Sequence, residues 1–477
     1  MRSLGVRDMN NRLKPYDKYI EAGLPWLSKI PYHWEMNRNK NVLKMKKERV
    51  GESHGQHILL SLTKQGIIAR DMVNIKGKFP KEFDTYQAVN PGDIIFCLFD
   101  IDETPRVVGL STLSGMITGA YTVFEVEDIN KKYLYYYYLA LDNHKQLKPL
   151  YSGLRKVINS DTFLRTKMPY PPREEQDQIV CYLDSKLAKI NKYINNKKKL
   201  IELLKEKKQA IINKAVTKGL TPNAKMKPSG IEWLGDIPEG WEVLKLKRVC
   251  KVNPSLNGYL NKYTLNDKVV FLSMEKISEY GDIDDSELRP ISEVKNGLTG
   301  FTKNDVIIAK ITPCFENGKG ACLDDMRTNI GFGTTELIVL RPNNKITIPK
   351  FLYLITRTSY FRNLGEEVMT GSAGQKRVPV QFVSNFAVGL PDIKDQKDIV
   401  IYIETKETAI NRAIERINKE IDLMSEYRTS LISNVVTGKV DVRNVEVEDV
   451  LEEIEEDVEV LVEETLGEEE ISVRKEG

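Results

Sequence analysis

Two kinds of hydrophobic patterning alternate along the chain. Around 36–170 and again around 243–390, apolar residues come in short β-branched runs with Gly, Asn and Pro between them, as in Asp93-Ile-Ile-Phe-Cys-Leu98 and Asp305-Val-Ile-Ile-Ala-Lys310. That texture predicts strands and turns with a few helices. Tyr133–Leu139 fits strand or helix by pattern; a helix is expected because the matching Phe351 run continues helically.

The second kind of patterning is a 4-3 alternation. It runs through Leu183, Leu187, Ile190, Ile194, Lys197, Ile201, Leu204, Lys208, Ile211 and Ala215. It returns through Ile403, Glu407, Ile410, Ile414, Ile417, Ile421, Met424, Arg428, Leu431 and Val435. A 3.5-residue period is the seam of a coiled coil. Pro171-Pro172 and Pro391 precede the two runs, and Gly219 and Gly438 follow them, which is the punctuation expected of long helices.

The whole pattern is written twice. All four tryptophans fall in one repeated phrase: Gly23 to Glu35 carries Trp26, Ile30, Pro31 and Trp34, and Gly230 to Glu242 carries Trp233, Ile237, Pro238 and Trp241, at a constant offset of 207. Leu60-Ser61 with Lys64 returns as Leu272-Ser273 with Lys276 at offset 212, and Gln176, Ile179 and Tyr182 return as Gln396, Ile399 and Tyr402 at offset 220. Gly153 with Arg155-Lys156-Val157 matches Gly374 with Lys376-Arg377-Val378. A growing offset means insertions in the second copy.

The expected fold is α+β: two β-rich domains separated by two long helices that bury their stripes against each other as an antiparallel coiled coil, in a pseudo-two-fold internal repeat. The boundaries read as 1–170 for the first domain (Trp phrase 23–35), 171–220 for the first helix, 221–390 for the second domain (Trp phrase 230–242), 391–440 for the second helix and 441–477 for a tail. Lys197, Lys208 and Arg428 interrupt the seam and are expected to snorkel and fix its register.

Charge alters this picture. Residues 441–477 carry sixteen Asp/Glu against three Lys/Arg, so the rest of the chain is +16 although the total is only +3. A basic body raises the prior for a polyanion partner. Within the tail, Val447, Val450, Leu451, Ile454, Val458, Leu461 and Val462 recur at helical spacing, so a short acidic helix that docks a partner, or shields the basic helix when DNA is absent, competes with a disordered solubilising segment. No apolar stretch is long enough to span a membrane, no signal core follows Met1, and five scattered cysteines form no CxxC pair. The expected location is cytoplasmic.

The sequence shows no catalytic machinery of a recognisable kind. It lacks GxxxxGK[ST] and HExxH, and Gly331-Phe332-Gly333 reads as a turn rather than a dinucleotide loop. His54 and His57 have no carboxylate or cysteine pattern to make a metal site. Cys314 has no histidine in its half of the chain, which favours a plain thiol over a nucleophile. No catalytic or metal residue and no cofactor are assigned to this chain.

Basic and amide side chains in matched loops are the candidates for DNA contact: Lys64, Arg106, Arg155 and Lys156 in the first copy, and Lys276, Asn317, Lys319, Gln375, Lys376 and Arg377 in the second. Loop cations on a rigid scaffold suit phosphates, while Arg, Gln and Asn also suit base edges. Ordinary solvated surface is the competing reading for any one of them. The first long helix adds eleven lysines against Glu202 and Glu206 between Lys186 and Lys218.

At this point a family resemblance emerges. Gly230 to Glu242 resembles the opening motif of specificity subunits of type I restriction–modification systems. Pro171-Pro-Arg-Glu-Glu-Gln176 and Leu390 to Gln396 resemble the starts of their conserved helices, and Thr312-Pro-Cys-Phe-Glu-Asn-Gly-Lys319 is similar to a loop of their target-recognition domains. The resemblance implies a non-catalytic subunit that binds double-stranded DNA with a bipartite target. It also implies two modification subunits that methylate adenine at N6 and motor-nuclease restriction subunits, with S-adenosylmethionine, ATP and Mg2+ held by those partners. Half-site centres about 34 Å apart, one helical turn, are expected for two domains on a rigid spacer. The rivals are a stand-alone DNA-binding regulator, an independent nuclease or methyltransferase, and a purely structural coiled-coil adaptor.

Overall fold

The computed structural model describes residues 14–70, 83, 85–151, 156–372 and 374–446. Gly153, Arg155 and the proposed helix of the acidic tail lie outside the described residues. Contacts divide the chain into two compact units, one of residues 14–197 with 418–446 and one of residues 198–417.

The two 4-3 runs form single helices, Arg173–Lys218 of 46 residues and Ile393–Val436 of 44. Gly219 and Gly438 terminate them at φ +74° and +70°, a conformation that L side chains rarely adopt. In the first unit, Leu183, Leu187, Ile190 and Ile194 share one core cluster with Leu431 and Val435. The second unit pairs the opposite halves: Lys208 donates to Asn411 across the helices at 3.2 Å, and Leu204, Ile410 and Ile417 are buried. The helical pair is therefore antiparallel.

The buried set departs from a strict seam. Lys197 stays at the edge, bonded to Glu420 at 3.0 Å, and Leu200 is buried in its stead. Ile211 is only partly buried beside Ile212, which is 1% exposed; Ile414, Ile421 and Met424 are likewise half-buried. A straight helix drifts about 20° per heptad against a 3.5 repeat. Each long helix also buries a second side against its globular part, which recruits Ile212, Ala215 and Val216 in one unit and Ile432 and Val436 in the other.

Each globular part holds an antiparallel four-stranded sheet of the same order. In the first, Thr122–Val126 lies between Leu43–Met45 and Ile94–Phe96, and Val108–Leu110 forms the far edge. In the second, Leu337–Pro342 lies between Cys250–Val252 and Val306–Ala309, with Gly320–Cys322 at the edge. The Tyr-rich run is a helix, Lys131–Asn143, as expected, capped by Asn130; its counterpart is Pro349–Arg357.

A second sheet in the later copy pairs Lys268–Leu272 with Ile330–Gly333 in parallel. This overturns the reading of Gly331-Phe332-Gly333 as a turn. Glycine is needed at 331 within this strand because a Cβ there would stand 2.4 Å from the Phe301 ring.

Three devices recur in both copies. Glu35–Arg38 pairs with Lys167–Tyr170, and Glu242–Lys245 with Ala387–Leu390, so each Trp phrase is stitched to the strand that enters the following helix. Gln176 and Gln396, both fully buried, accept from the backbone of Asn130 and of Ile348 and donate to Pro171 and Pro391, clamping the Tyr-rich helix or its counterpart to the long one. Finally, Trp241 packs on the glycine ending the first long helix and Trp34 on the glycine ending the second.

Candidate nucleic-acid interface

The strand Val306–Ala309 runs on into a loop that is held from two sides. Thr312 donates its backbone N–H to the carbonyl of Lys376 at 3.0 Å, and Val378 donates to the carbonyl of Lys310 at 2.8 Å. The first copy repeats this with Asp100 donating to Lys156 and Ile158 to Leu98, both at 2.7 Å. These bonds correct the alignment of the loop by one residue. Lys156 matches Lys376 and Val157 matches Arg377, at the same offset of 220 as the helix that follows. Similar residue types alone favoured the wrong register, whereas backbone bonds depend on position.

In the second unit the candidates converge on one loop cluster. Asn317 donates to Glu279 at 2.7 Å and the Lys319 ammonium to the carbonyl of Met274 at 3.1 Å, which draws residues 274–279 against the loop 312–319. Lys276 on that segment pairs with Asp284 at 3.3 Å and Glu287 at 3.4 Å. Hydrogen bonds from Ser286 and then Lys276 hold the Asp284 carboxyl down at about 2. Arg377 makes a two-pronged bond to Glu336, 2.9 Å on each prong, and this keeps Glu336 below its ordinary range. Gln375 and Lys376 are exposed between these pinned neighbours.

The first unit treats its cations differently. Lys156 is bonded to Glu103 at 2.6 Å and Asp102 at 3.1 Å, which raises its pKa. Lys64 is exposed in the turn between Leu60–Thr63 and Gly66–Ala69. Arg106 has a structural position: it donates to Asp142, whose side chain is 1% exposed, and to Asn143, at the end of the Tyr-rich helix. Lys145 bonds the other oxygen of Asp142 at 2.6 Å. Nothing in the sequence sets Arg106 apart from its neighbours, because its partner lies 36 residues away.

Other groups that sequence reasoning passed over anchor the strands. Asp93 and Asp305 marked strand starts; both are buried acids, paired with Lys46 at 2.8 Å and with Arg341 at 2.7 Å. Their repetition at offset 212 was the available signal. Burial pushes the thiols of Cys250 and Cys322 up to about 12, which makes them poor nucleophiles at neutral pH. Among the described residues, no helix is long and apolar enough to cross a membrane, and no His/Cys/Asp/Glu group has the arrangement of a metal site.

Comparison with known proteins bears directly on this duplicated scaffold. The family model of the type I restriction modification DNA specificity domain matches residues 117–203 and 238–423, more than half of the chain. The chain belongs to that family.

The chain is 34% identical over 212 residues to the Type I restriction enzyme EcoAI specificity subunit of Escherichia coli, covering 44% of this chain and 35% of that one. Against the EcoEI specificity subunit of the same organism the figures are 36% over 166 residues, 35% of this chain and 27% of that one. The match thus spans about a third or less of those two relatives. It is 25% identical over 437 residues to the MjaVIII specificity subunit of Methanocaldococcus jannaschii, covering 87% of this chain and 95% of that one. The same fold occurs in a chain solved in work on complex assembly and conformational transition of the type I R-M system, with TM-score 0.59, 13% identity and coverage of 86% and 99%.

Proposed function

We propose that this specificity subunit reads a split sequence in double-stranded DNA, one half with each globular unit, and directs partner subunits to it. One observation carries the reading: a single loop scaffold, fixed by the same backbone bonds at Asp100–Lys156 and Thr312–Lys376, is built twice with different side chains on it. A conserved frame with divergent side chains suits two half-sites of different sequence. Phosphate contacts would supply affinity and register, and base contacts the discrimination, about 1–3 kcal/mol for each bidentate pair.

The partners are two modification subunits that methylate adenine at N6, and motor-nuclease subunits for restriction. S-adenosylmethionine, ATP and Mg2+ are assigned to them. The names of the relatives, specificity subunits of type I restriction enzymes, support assembly with partner subunits, and the cofactors are what the family resemblance leads us to expect there.

The test is a single-molecule map of N6-methyladenine in cells co-expressing this chain with its neighbouring methyltransferase. Two defined halves around an unread gap are expected, and exchanging residues 225–390 for those of another specificity subunit should change one half only. A folded complex with an active methylase and no methylated motif would overturn the reading in favour of a stand-alone DNA-binding protein.

A further inference from the structure

The last described residues lie on the first long helix. Gln178 donates to the carbonyls of Val442 at 3.1 Å and Val445 at 2.8 Å, Val442 is fully buried, and Arg443 stacks over Tyr16 at 5.0 Å. The chain beyond Glu446 therefore starts from a fixed point, one turn before Tyr182 and two before Lys186 on the same face of that helix.

The surface beside this point is basic and apolar together. Lys186 stands over the Tyr182 ring at 5.9 Å, and Tyr182, whose phenol burial pushes up to about 12, has Tyr427 of the second long helix as its electrostatic neighbour. One turn back from Tyr427 is Leu423, 64% exposed, and three residues before it Glu420 bonds the Tyr193 hydroxyl at 3.0 Å. Lys197 pairs with Glu420 at 3.0 Å and lies over the Tyr193 ring at 5.3 Å. Within this one unit, Gln178, Tyr182, Tyr427, Leu423, Glu420 and Tyr193 thus enclose a continuous face, with exposed Lys186 and Lys192 along it. Leu423, Tyr427 and Tyr193 are three large, partly apolar side chains exposed on one such face, the pattern of a covered surface.

We infer that the chain's own C-terminal segment, residues 447–477, docks on this face. Charge supports it: the segment carries fourteen Asp/Glu against Arg474 and Lys475, whereas the stretch of helix from Gln178 to Tyr193 carries Lys186, Lys189 and Lys192. Apolar pattern supports it, since Val447, Val450, Leu451, Ile454 and Val458 recur at helical spacing and would meet Tyr427, Leu423 and Tyr193. Reach is ample. The face from Gln178 to Tyr193 is about 22 Å long at ~1.5 Å per helical residue, and a 31-residue segment exceeds that even when helical. Docked there, the segment neutralises lysines that would otherwise hold polyanions without regard to sequence. The inference does not depend on how the globular units read DNA.

The experiment is zero-length carbodiimide cross-linking of the full chain, using an equimolar mixture of nitrogen-14 and nitrogen-15 protein and mass spectrometry of the products. Lys350–Glu404, an exposed pair at 2.7 Å, serves as the internal control. Expected are isotopically pure cross-links joining Lys186 or Lys192 to acids between Glu448 and Glu464. They should weaken at high salt, be lost in Lys186→Glu/Lys192→Glu, and fall in Leu423→Ser/Tyr427→Ser, while the control persists throughout. Isotopically mixed products would assign the face to a second chain and overturn the inference. So would cross-links from the segment to lysines elsewhere, or none while the control pair reacts.

Discussion

Arg428 donates to the side-chain oxygen of Asn191 at 3.0 Å, and this contact is the image of Lys208 donating to Asn411 at 3.2 Å, with both residues displaced by 220. The cation moves from one long helix to the other while the partner amide moves the opposite way. The repeat at offset 220 places the same cation and amide positions on the two long helices of both units. Arg428→Ala is expected to cost about 0.5–1.5 kcal/mol, the ordinary worth of one hydrogen bond at a partly exposed site. A double-mutant cycle with Asn191→Ala, followed by chemical denaturation, should return most of that figure as coupling. Strict additivity would show that the contact does not set the register.

The helix ends differ in tolerance. A Cβ on Gly438 would stand 2.3 Å from Pro31, whereas on Gly219 the nearest atom is the Trp241 ring at 3.2 Å. Both glycines have positive φ, so alanine strains either one by about 1 kcal/mol, and Gly438→Ala adds a steric clash. Thermal unfolding should therefore show a larger loss for Gly438→Ala than for Gly219→Ala. The reverse order would contradict the packing of Trp34 and Pro31 on that turn.

Gln396 holds four polar partners while buried: it accepts from Ile348 and Thr347 and donates to Ile346 and Pro391. Gln396→Ala leaves these groups without their bonds and should destabilise the second unit by about 2–6 kcal/mol, counting about 1–3 for each of the two groups, on Thr347 and Pro391, whose bonds are buried. Gln396→Glu should also destabilise, because a carboxylate cannot donate to the two carbonyls. Melting curves of both variants within experimental error of the parent would refute the clamp.

Arg106 and Lys376 separate stability from binding. Arg106→Ala removes one cation from the buried Asp142 and should cost about 1–3 kcal/mol, with Lys145 limiting the damage. Lys376→Ala should leave the melting temperature alone, weaken binding to all DNA sequences and lower the salt slope by about 1. If Lys376→Ala changed neither affinity nor salt slope, the loop 370–378 would not contact DNA.

The Arg377–Glu336 bond gives a pH dependence. Glu336 has a folded pKa below its reference value of 4.5, so its contribution is present above that value and lost as pH falls through the lower folded one. Arg377 exchanges backbone bonds with Thr370, and its amide, corrected for the intrinsic pH dependence of exchange, should lose protection in that acid window. Glu336→Gln should remove the dependence. Protection that stayed constant into strong acid would mean that the backbone bonds alone fix the loop.

Arg106 and the 370–378 loop differ in how legible they were from the sequence. Lys276, Asn317, Lys319, Gln375, Lys376 and Arg377 were all chosen from loop position and residue type, and the fold brings them into one cluster. The same criteria chose Arg106, which the fold instead sets against a buried acid. Loop position says that a cation is near the surface; it does not say which carboxylate folds back beside it. Lys156 and Lys376 illustrate this. They occupy one backbone position in two copies and both are exposed, yet Asp102 and Glu103 pair with the first.

What the sequence determined by itself was the duplication, the two long helices with their glycine ends, and the antiparallel pairing. These follow from periodicity and from apolar stripes that must be buried, and both are properties of nearby residues. Only the tertiary structure decided which cations remain open, the one-residue register of the matched loops, and the burial of Leu200 and Ile212 where a strict seam would place Lys197 and Ile211. Those outcomes depend on partners tens to hundreds of residues away. Steric fit and charge compensation among such groups are settled only when the chain brings them together.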